Sequence, residues 1–214
     1  LGISLVTGPT FEPVSLEEAR THCRVTQTDE DGLLAGYIMA ARVFAETNTR
    51  TIFAQQTFDC TYDYYWPCNR NLDNGYVYEV FNSYLTGYGY SRIELPVYPV
   101  SSVTSVKYLD SNGVQQTLDP SQYLVSLDGP VAFIDPAYGV TWPTPRCQVS
   151  TVTVRVVAGF GTLPSDTPET IRQAMLMMIE HFYDNRSAVS GDMAEVPLGV
   201  EALLSTQRRS RILS

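Results

Sequence analysis

Lysine is almost missing from this chain. Lys107 is the single one in 214 residues, and the formal net charge is −9. A protein that reads nucleic acid needs clustered lysine and arginine to neutralise phosphates, so the composition argues against that class. An acidic surface fits ordinary solubility, or a protein that sits near DNA without sticking to it. Histidine is scarce as well. His22 and His181 each stand without a second histidine or cysteine one helical turn further on. The four cysteines, Cys23, Cys60, Cys68 and Cys147, show no C-x-x-C spacing, which excludes the usual zinc site. Cys60 and Cys68 can face each other across a hairpin. A chain of this length needs no disulfide staples, however, so four free thiols in a reducing compartment are expected. No apolar run approaches the ~18 residues of a membrane span. The opening LGISLVTGPTFEP has no basic segment ahead of its apolar residues, so no secretory signal is expected.

Catalytic motifs are missing too. The chain holds no H-E-x-x-H, no G-x-S-x-G and no G-x-x-x-x-G-K-[ST]. AGFGTLPS contains G-x-G, but it lacks the third glycine and the helix start that hold a phosphate. TQTDEDG and LDSNG lack the alternating ligands of a calcium loop. The acidic pairs Glu17/Glu18 and Asp29/Asp31 are accounted for by helix starts. No catalytic, cofactor-binding or metal-binding residue is therefore assigned.

What is present is a strong pattern of elements. PVSLEEARTHCRV predicts a helix with Ser15 as N-cap and Glu18 three residues on, a capping box. Val14 and Ala19 form a weak staple across its start. DEDGLLAGYIMAARVFAETNTR predicts a second helix, with Leu34, Ile38, Ala41 and Ala45 on one stripe. Leu33, Tyr37 and Phe44 lie beside that stripe. TFDCTYDYYW then alternates as a strand. SSVTSVKYL is a strand with Val103, Val106 and Tyr108 as its apolar members. DSNG turns it, and VQQTL returns. QYLVSLDGPVAFI predicts a second hairpin, and STVTVRVVAGFG a strand with Val152, Val154 and Val156 on one face. Helix resumes in PSDTPETIRQAMLMMIEHFYDNR, with Thr167 as N-cap and Pro168 in the first turn. Its apolar face is Ile171, Ala174, Met175, Met178, Ile179 and Phe182.

The order is two helices, a β unit, two helices. The expected class is α+β: a helical bundle domain from residues 1–51 and 161–214, with an antiparallel β domain inserted at 52–160. SAVSGDMAE reads as a linker, 187–196, to a short C-terminal helix carrying Val200, Leu203 and Leu204. Arg208, Arg209 and Arg211 follow, placed to favour the negative end of that helix. One stretch stands apart. Residues 62–90 hold eight of the fourteen tyrosines, mixed with Asn and Gly. Such a mixture makes an adaptable contact surface, or a long hairpin that packs its own rings.

The chain resembles the head–tail connector (adaptor) proteins of tailed bacteriophages, in the subgroup with a β insertion. PVSLEEARTHCRV followed by DEDGLLAGYIMAAR carries the family's opening, with Pro13, Leu16, Ala19 and Arg42. IELPVYPVSSVTSVKYLDSNG carries its most recognisable stretch, with Leu95, Pro96, Pro99 and Val100. WPTP, VTVRVVAGFG and PETIRQAMLMMIEHFYDNR match in order and spacing. EVPLGVEALLSTQR resembles its end, with Pro197, Gly199, Leu203, Leu204 and Arg208. The departure is residues 66–92, longer than the family pattern.

The resemblance implies a structural virion protein with no reaction and no cofactor. Copies would form a dodecameric ring below the portal at the head–tail interface, after synthesis in the bacterial cytoplasm. The ring would extend the DNA channel, pass DNA without reading it, touch no membrane, and dock stopper or tail-completion proteins. It also implies that the C-terminal helix grips the portal protein, through Val200, Leu203, Leu204, Arg208, Arg209 and Arg211. A short helix beyond a linker is marginal alone and gains stability by docking its apolar side. The other expectation is that this helix folds on its own bundle. Tyr76, Tyr78, Tyr84, Tyr88 and Tyr90 are the candidates for contact with a partner or a neighbouring subunit. A surface- or carbohydrate-binding module using those tyrosines is the alternative function, and a small hydrolase using carboxylate pairs is a third.

Overall fold

The computed structural model describes residues 1–63, 92–129, 131–185 and 197–209. The chain is α+β: a first strand, two helices, the remaining strands of two antiparallel sheets, then two helices. It divides into two compact units, residues 8–56 with 159–214, and residues 1–7 with 57–158.

The helical unit contains α1 (Leu16–His22), α2 (Asp31–Thr49), α3 (Glu169–Asp184) and α4 (Leu198–Ser205). α1 begins as the sequence predicts. The Ser15 hydroxyl accepts from the Glu18 amide, and Glu18 accepts from the Ser15 amide at 2.8 Å. Val14 and Ala19 are both fully buried beside that cap. The stripe Leu34, Ile38, Ala41 and Ala45 of α2 meets Ile171, Ala174, Met175, Met178 and Ile179 of α3 in one core. Arg172 of α3 donates to the Pro13 carbonyl at 3.1 Å and pairs with Glu18. Burial pushes the Glu18 carboxyl up, and the bonds from Ser15 and Arg172 outweigh this and hold it below the usual carboxylate range. The start of α3 differs from expectation by one residue. Pro168 is the cap, and its carbonyl accepts from Ile171 and Arg172. Thr167 ends a preceding 3-10 turn instead.

A buried polar cluster closes the far end of α2. Arg42 donates to Glu12 at 2.7 Å and to Glu46 at 2.9 Å. Glu46 also accepts from the Phe53 amide and the Gln56 side chain, each at 3.0 Å. Burial raises the Glu46 pKa, against the opposing pull of the Phe53 amide and Arg42. Next to this cluster the chain leaves for the β unit and returns from it. Phe160 donates to the Phe53 carbonyl, and the two rings stack with centroids 6.1 Å apart. Gly159 has φ +129°, and a Cβ there would sit 2.7 Å from the Gln55 Cα. Only glycine fits that crossing.

The β unit contains two sheets. The larger takes β1 (Gly2–Thr7), β2 (Gln56–Tyr62), β8 (Val152–Ala158), β4 (Val100–Leu109) and β5 (Gln115–Thr117), in that spatial order. The smaller takes β3 (Ile93–Glu94), β7 (Phe133–Pro136) and β6 (Tyr123–Ser126). β2 and β8 bury every second residue, as their alternation requires. Asp59 meets Arg155 and Asp63 meets the Ser150 amide, so these two strands run in opposite directions. The DSNG turn joins β4 to β5 as expected, with Gly113 at φ +82°.

Three expectations need correction. The first seven residues are not part of the helical domain: Gly2–Thr7 is a strand paired antiparallel with β2. The contact division also shifts the other boundaries, to 57 and 158 in place of 52 and 160. The thiols are not all free. Cys23 and Cys60 are, but Cys147 is disulfide-bonded. Cys68, the expected linker 187–196 and the tyrosine-rich loop lie outside the described residues.

Two measurements test these interactions. Arg42→Met leaves the nearly buried Glu46 carboxylate without its cation, and urea unfolding is expected to show a loss of about 3 kcal/mol or more. A loss within about 0.5 kcal/mol, as at exposed positions, would mean that water reaches the cluster. The forked Arg155 pair at 2.7 Å holds the Asp59 pKa below its ordinary value. A depressed carboxylate stabilises the fold above its unfolded pKa and loses that contribution as pH falls through the folded pKa. Asp59→Asn is therefore expected to flatten the fall in melting temperature between about pH 5 and pH 2. An unchanged acid limb would show that this pair contributes nothing.

Candidate interaction surfaces

The C-terminal helix is built on Pro197, whose carbonyl accepts from Val200 and Glu201. Proline suits this place because the first helical amides have no internal partner. α4 lies on its own bundle. Val200 is 1% exposed and Leu204 is 5% exposed, both in the core with α2 and α3, and Leu203 is partly buried against it. Gly199 allows the close approach, since a Cβ there would lie 2.8 Å from the Met177 methyl. Leu198 is the outward residue, at 84% exposed.

The helix stops at Ser205, with Thr206 as its C-cap, so no basic residue falls in its last turn. The expected placement of the arginines on the helix end is thus corrected. Arg208 follows in an exposed extension. Arg209 is half-buried, and its amide donates to the Thr49 carbonyl at 3.1 Å, tying this extension to the end of α2. Arg211 lies outside the described residues. Of the six residues singled out on this segment, the structure gathers Val200, Leu203 and Leu204 on the inner side and leaves Arg208 in solvent. Tyr76, Tyr78, Tyr84, Tyr88 and Tyr90 all lie outside the described residues.

Two surfaces were not read from the sequence. One is the outer face of α2, where Leu33, Gly36, Met39, Ala40, Val43 and Thr47 are exposed without a charge among them. The other is β1, exposed in all six residues. The signal for β1 lies in the alternation of Ile3 and Leu5 over six residues ahead of a proline-bearing turn.

Chemistry finds little footing. An open groove of about 380 Å³ is lined by Ser15, Glu17, Glu18, Thr21, His22, Gln173 and Leu176. Glu18 is occupied by the helix cap and by Arg172, so no free carboxylate pair converges there. Among the described residues no group of His, Cys, Asp and Glu is arranged to hold a metal. No described helix is long and apolar enough to cross a membrane.

Residues 13–72 match the family of phage gp6-like head–tail connector proteins, so the resemblance read from the sequence holds over that segment. No curated protein matches the chain by sequence. Solved structures extend the likeness in fold to the whole chain. A chain in the neck of an empty GTA particle, computed with C6 symmetry, is 22% identical with a TM-score of 0.74. The match covers 100% of this chain and 98% of that one. A chain in the virion of a native gene transfer agent (GTA) particle gives the same identity, coverage and score. A third, in the neck of a native GTA particle computed with C12 symmetry, is 21% identical at 0.72, with 100% and 98% covered. The carbohydrate-binding alternative gains no support from these matches.

The docking of α4 predicts an asymmetry between two leucines. Leu204→Ala is expected to cost about 2–4 kcal/mol in urea unfolding, and Leu198→Ala less than about 0.5 kcal/mol. Equal small effects would show that α4 does not rest on the bundle in solution.

Proposed function

We propose that this protein is a structural subunit of a virion neck, a head–tail connector that acts by assembling into a ring. The carrying observation is the coincidence of two independent likenesses. Residues 13–72 match the connector family, and the fold of the entire chain is that of neck proteins. The copies form a ring, dodecameric in the reading favoured by the relative with C12 symmetry. The ring sits between portal and tail-completion proteins, and DNA passes through its lumen without being read. Net charge −9 supports this passage, because a lumen of carboxylates repels the duplex.

The portal contact is assigned to α4 and the arginines after it. Two modes are open to this segment. With α4 on its bundle, Leu198 and Arg208 offer an exposed apolar and cationic edge. With α4 released, Val200 and Leu204 enter a portal groove. Release exposes those two side chains at a cost of about 3–6 kcal/mol, which the groove must return. Arg208, Arg209 and Arg211 then pair with portal carboxylates and set specificity more than affinity.

Native mass spectrometry and negative-stain microscopy of the chain with a cognate portal, with and without residues 197–214, test both levels. A ring on the portal that is lost on deletion is the expected result. A ring that survives deletion keeps the connector and removes α4 from the contact. No association in any condition overturns the connector reading.

A further inference from the structure

Ring subunits must join through two different surfaces, since a head-to-tail contact repeats one patch against another. The larger sheet ends in two such surfaces. At one edge, β1 pairs among the described residues only with β2, and all six of its residues are exposed. Ile3 is 51% and Leu5 is 56% exposed. Proteins ordinarily guard such an edge with lysine, proline or a covering segment, because its free N–H and C=O groups invite another strand. Gly2–Thr7 holds neither lysine nor proline, and no strand among the described residues pairs with its outer edge.

The register shows what this strand is missing. Ile3 lies opposite Cys60 and Leu5 opposite Phe58. Residues directly opposite share one face of a sheet. Cys60 and Phe58 are buried, so the apolar row of the core continues onto β1 and there runs out of cover.

The other edge is also open. Beside β5, β4 is engaged at Lys107–Leu109 and at the Val106 carbonyl, which accepts from Leu118 at 2.8 Å; among the described residues Val100–Ser105 has no strand on that side. Val100, Val103 and Val106 lie opposite Ala158, Val156 and Val154 of the buried row. Val103 is nonetheless only half-buried. Here the same core face again lacks its next strand.

We propose that β1 of one copy pairs with the open half of β4 in the next copy, so that the ring closes by continuing the sheet from subunit to subunit. This rests on the connector reading above. Six residues, Gly2–Thr7, meet six, Val100–Ser105. Neither segment carries a charged residue, so two copies of net charge −9 approach there without like charges in contact. Adjacent strands of the sheet alternate in direction, so a copy displaced along the sheet brings β1 beside β4 antiparallel. The ladder supplies affinity, and the apolar row of Ile3 and Leu5 meeting Val103 supplies register.

Ser4 and Thr104 are exposed on these two segments. The full chain carrying both Ser4→Cys and Thr104→Cys, assembled on the portal and treated with a short bis-maleimide, is expected to give a covalent ladder beyond the dimer. Each single substitution is expected to leave monomers. Ile3→Lys with Leu5→Lys is expected to lower ring yield at least tenfold. The melting temperature of the free subunit should stay the same, because both side chains are already exposed. Rings that persist with both lysines and give no ladder overturn the inference and leave the connector intact. A dimer from Ser4→Cys alone also overturns it, by showing β1 against β1. An unmodified chain that forms no ring overturns this inference together with the reading beneath it.

Discussion

The insertion of one unit into another depends on a carboxylate that is costly to bury. Glu46 sits where the chain leaves α2, and it accepts from three donors, on Arg42, Phe53 and Gln56. An ionised group in that position must be paired, or the fold pays its full desolvation. The pairing fixes the outgoing strand segment against α2. Phe160 and Gly159 then bring the returning chain to the same place. An inserted unit requires its two crossings to lie side by side, and this cluster is where that requirement is met. Arg42, met first as part of a family likeness, thus has a structural reason within this chain.

Much of the fold was legible because its signals are local. The Ser15–Glu18 cap, the α2 stripe, the DSNG turn and the alternation of β8 each need only neighbouring residues to be read. What escaped was non-local. Gly2–Thr7 is a strand only because β2 lies beside it, some fifty residues later in the chain. Arg209 is tied to α2 by a backbone bond that no periodicity announces. Thr167 has a good capping side chain, yet Pro168 takes the place because a 3-10 turn delivers the chain one residue late. The bond at Cys147 was missed for a related reason, since a compartment rule says nothing about which thiols meet.

Interaction surfaces were the least legible part. Val200, Leu203 and Leu204 form an apolar side whichever body they face, and sequence gives no means to choose between the chain's own bundle and a partner. The structure gives the resting position, in which two of them are core. The arginines acquire a different meaning from this. Arg208 and Arg209 lie past the helix end and outside its last turn, and Arg208 is exposed to solvent.

The position of β1 also governs how the chain is made. β1 leaves the ribosome first of its sheet, while β2 emerges about fifty residues later and β8 about 150 residues later. A two-stranded ribbon is marginal in water, so β1 and β2 gain a stable place only when β8 arrives between β2 and β4. At roughly 5–20 residues per second the apolar strand waits on the order of ten seconds or more without its sheet. Meanwhile α1 and α2 are complete, but α3, their main core partner, has not been synthesised. Nascent chains of this protein therefore carry an open, uncharged strand until β8 has been made, and are open to capture by a chaperone that binds extended apolar segments.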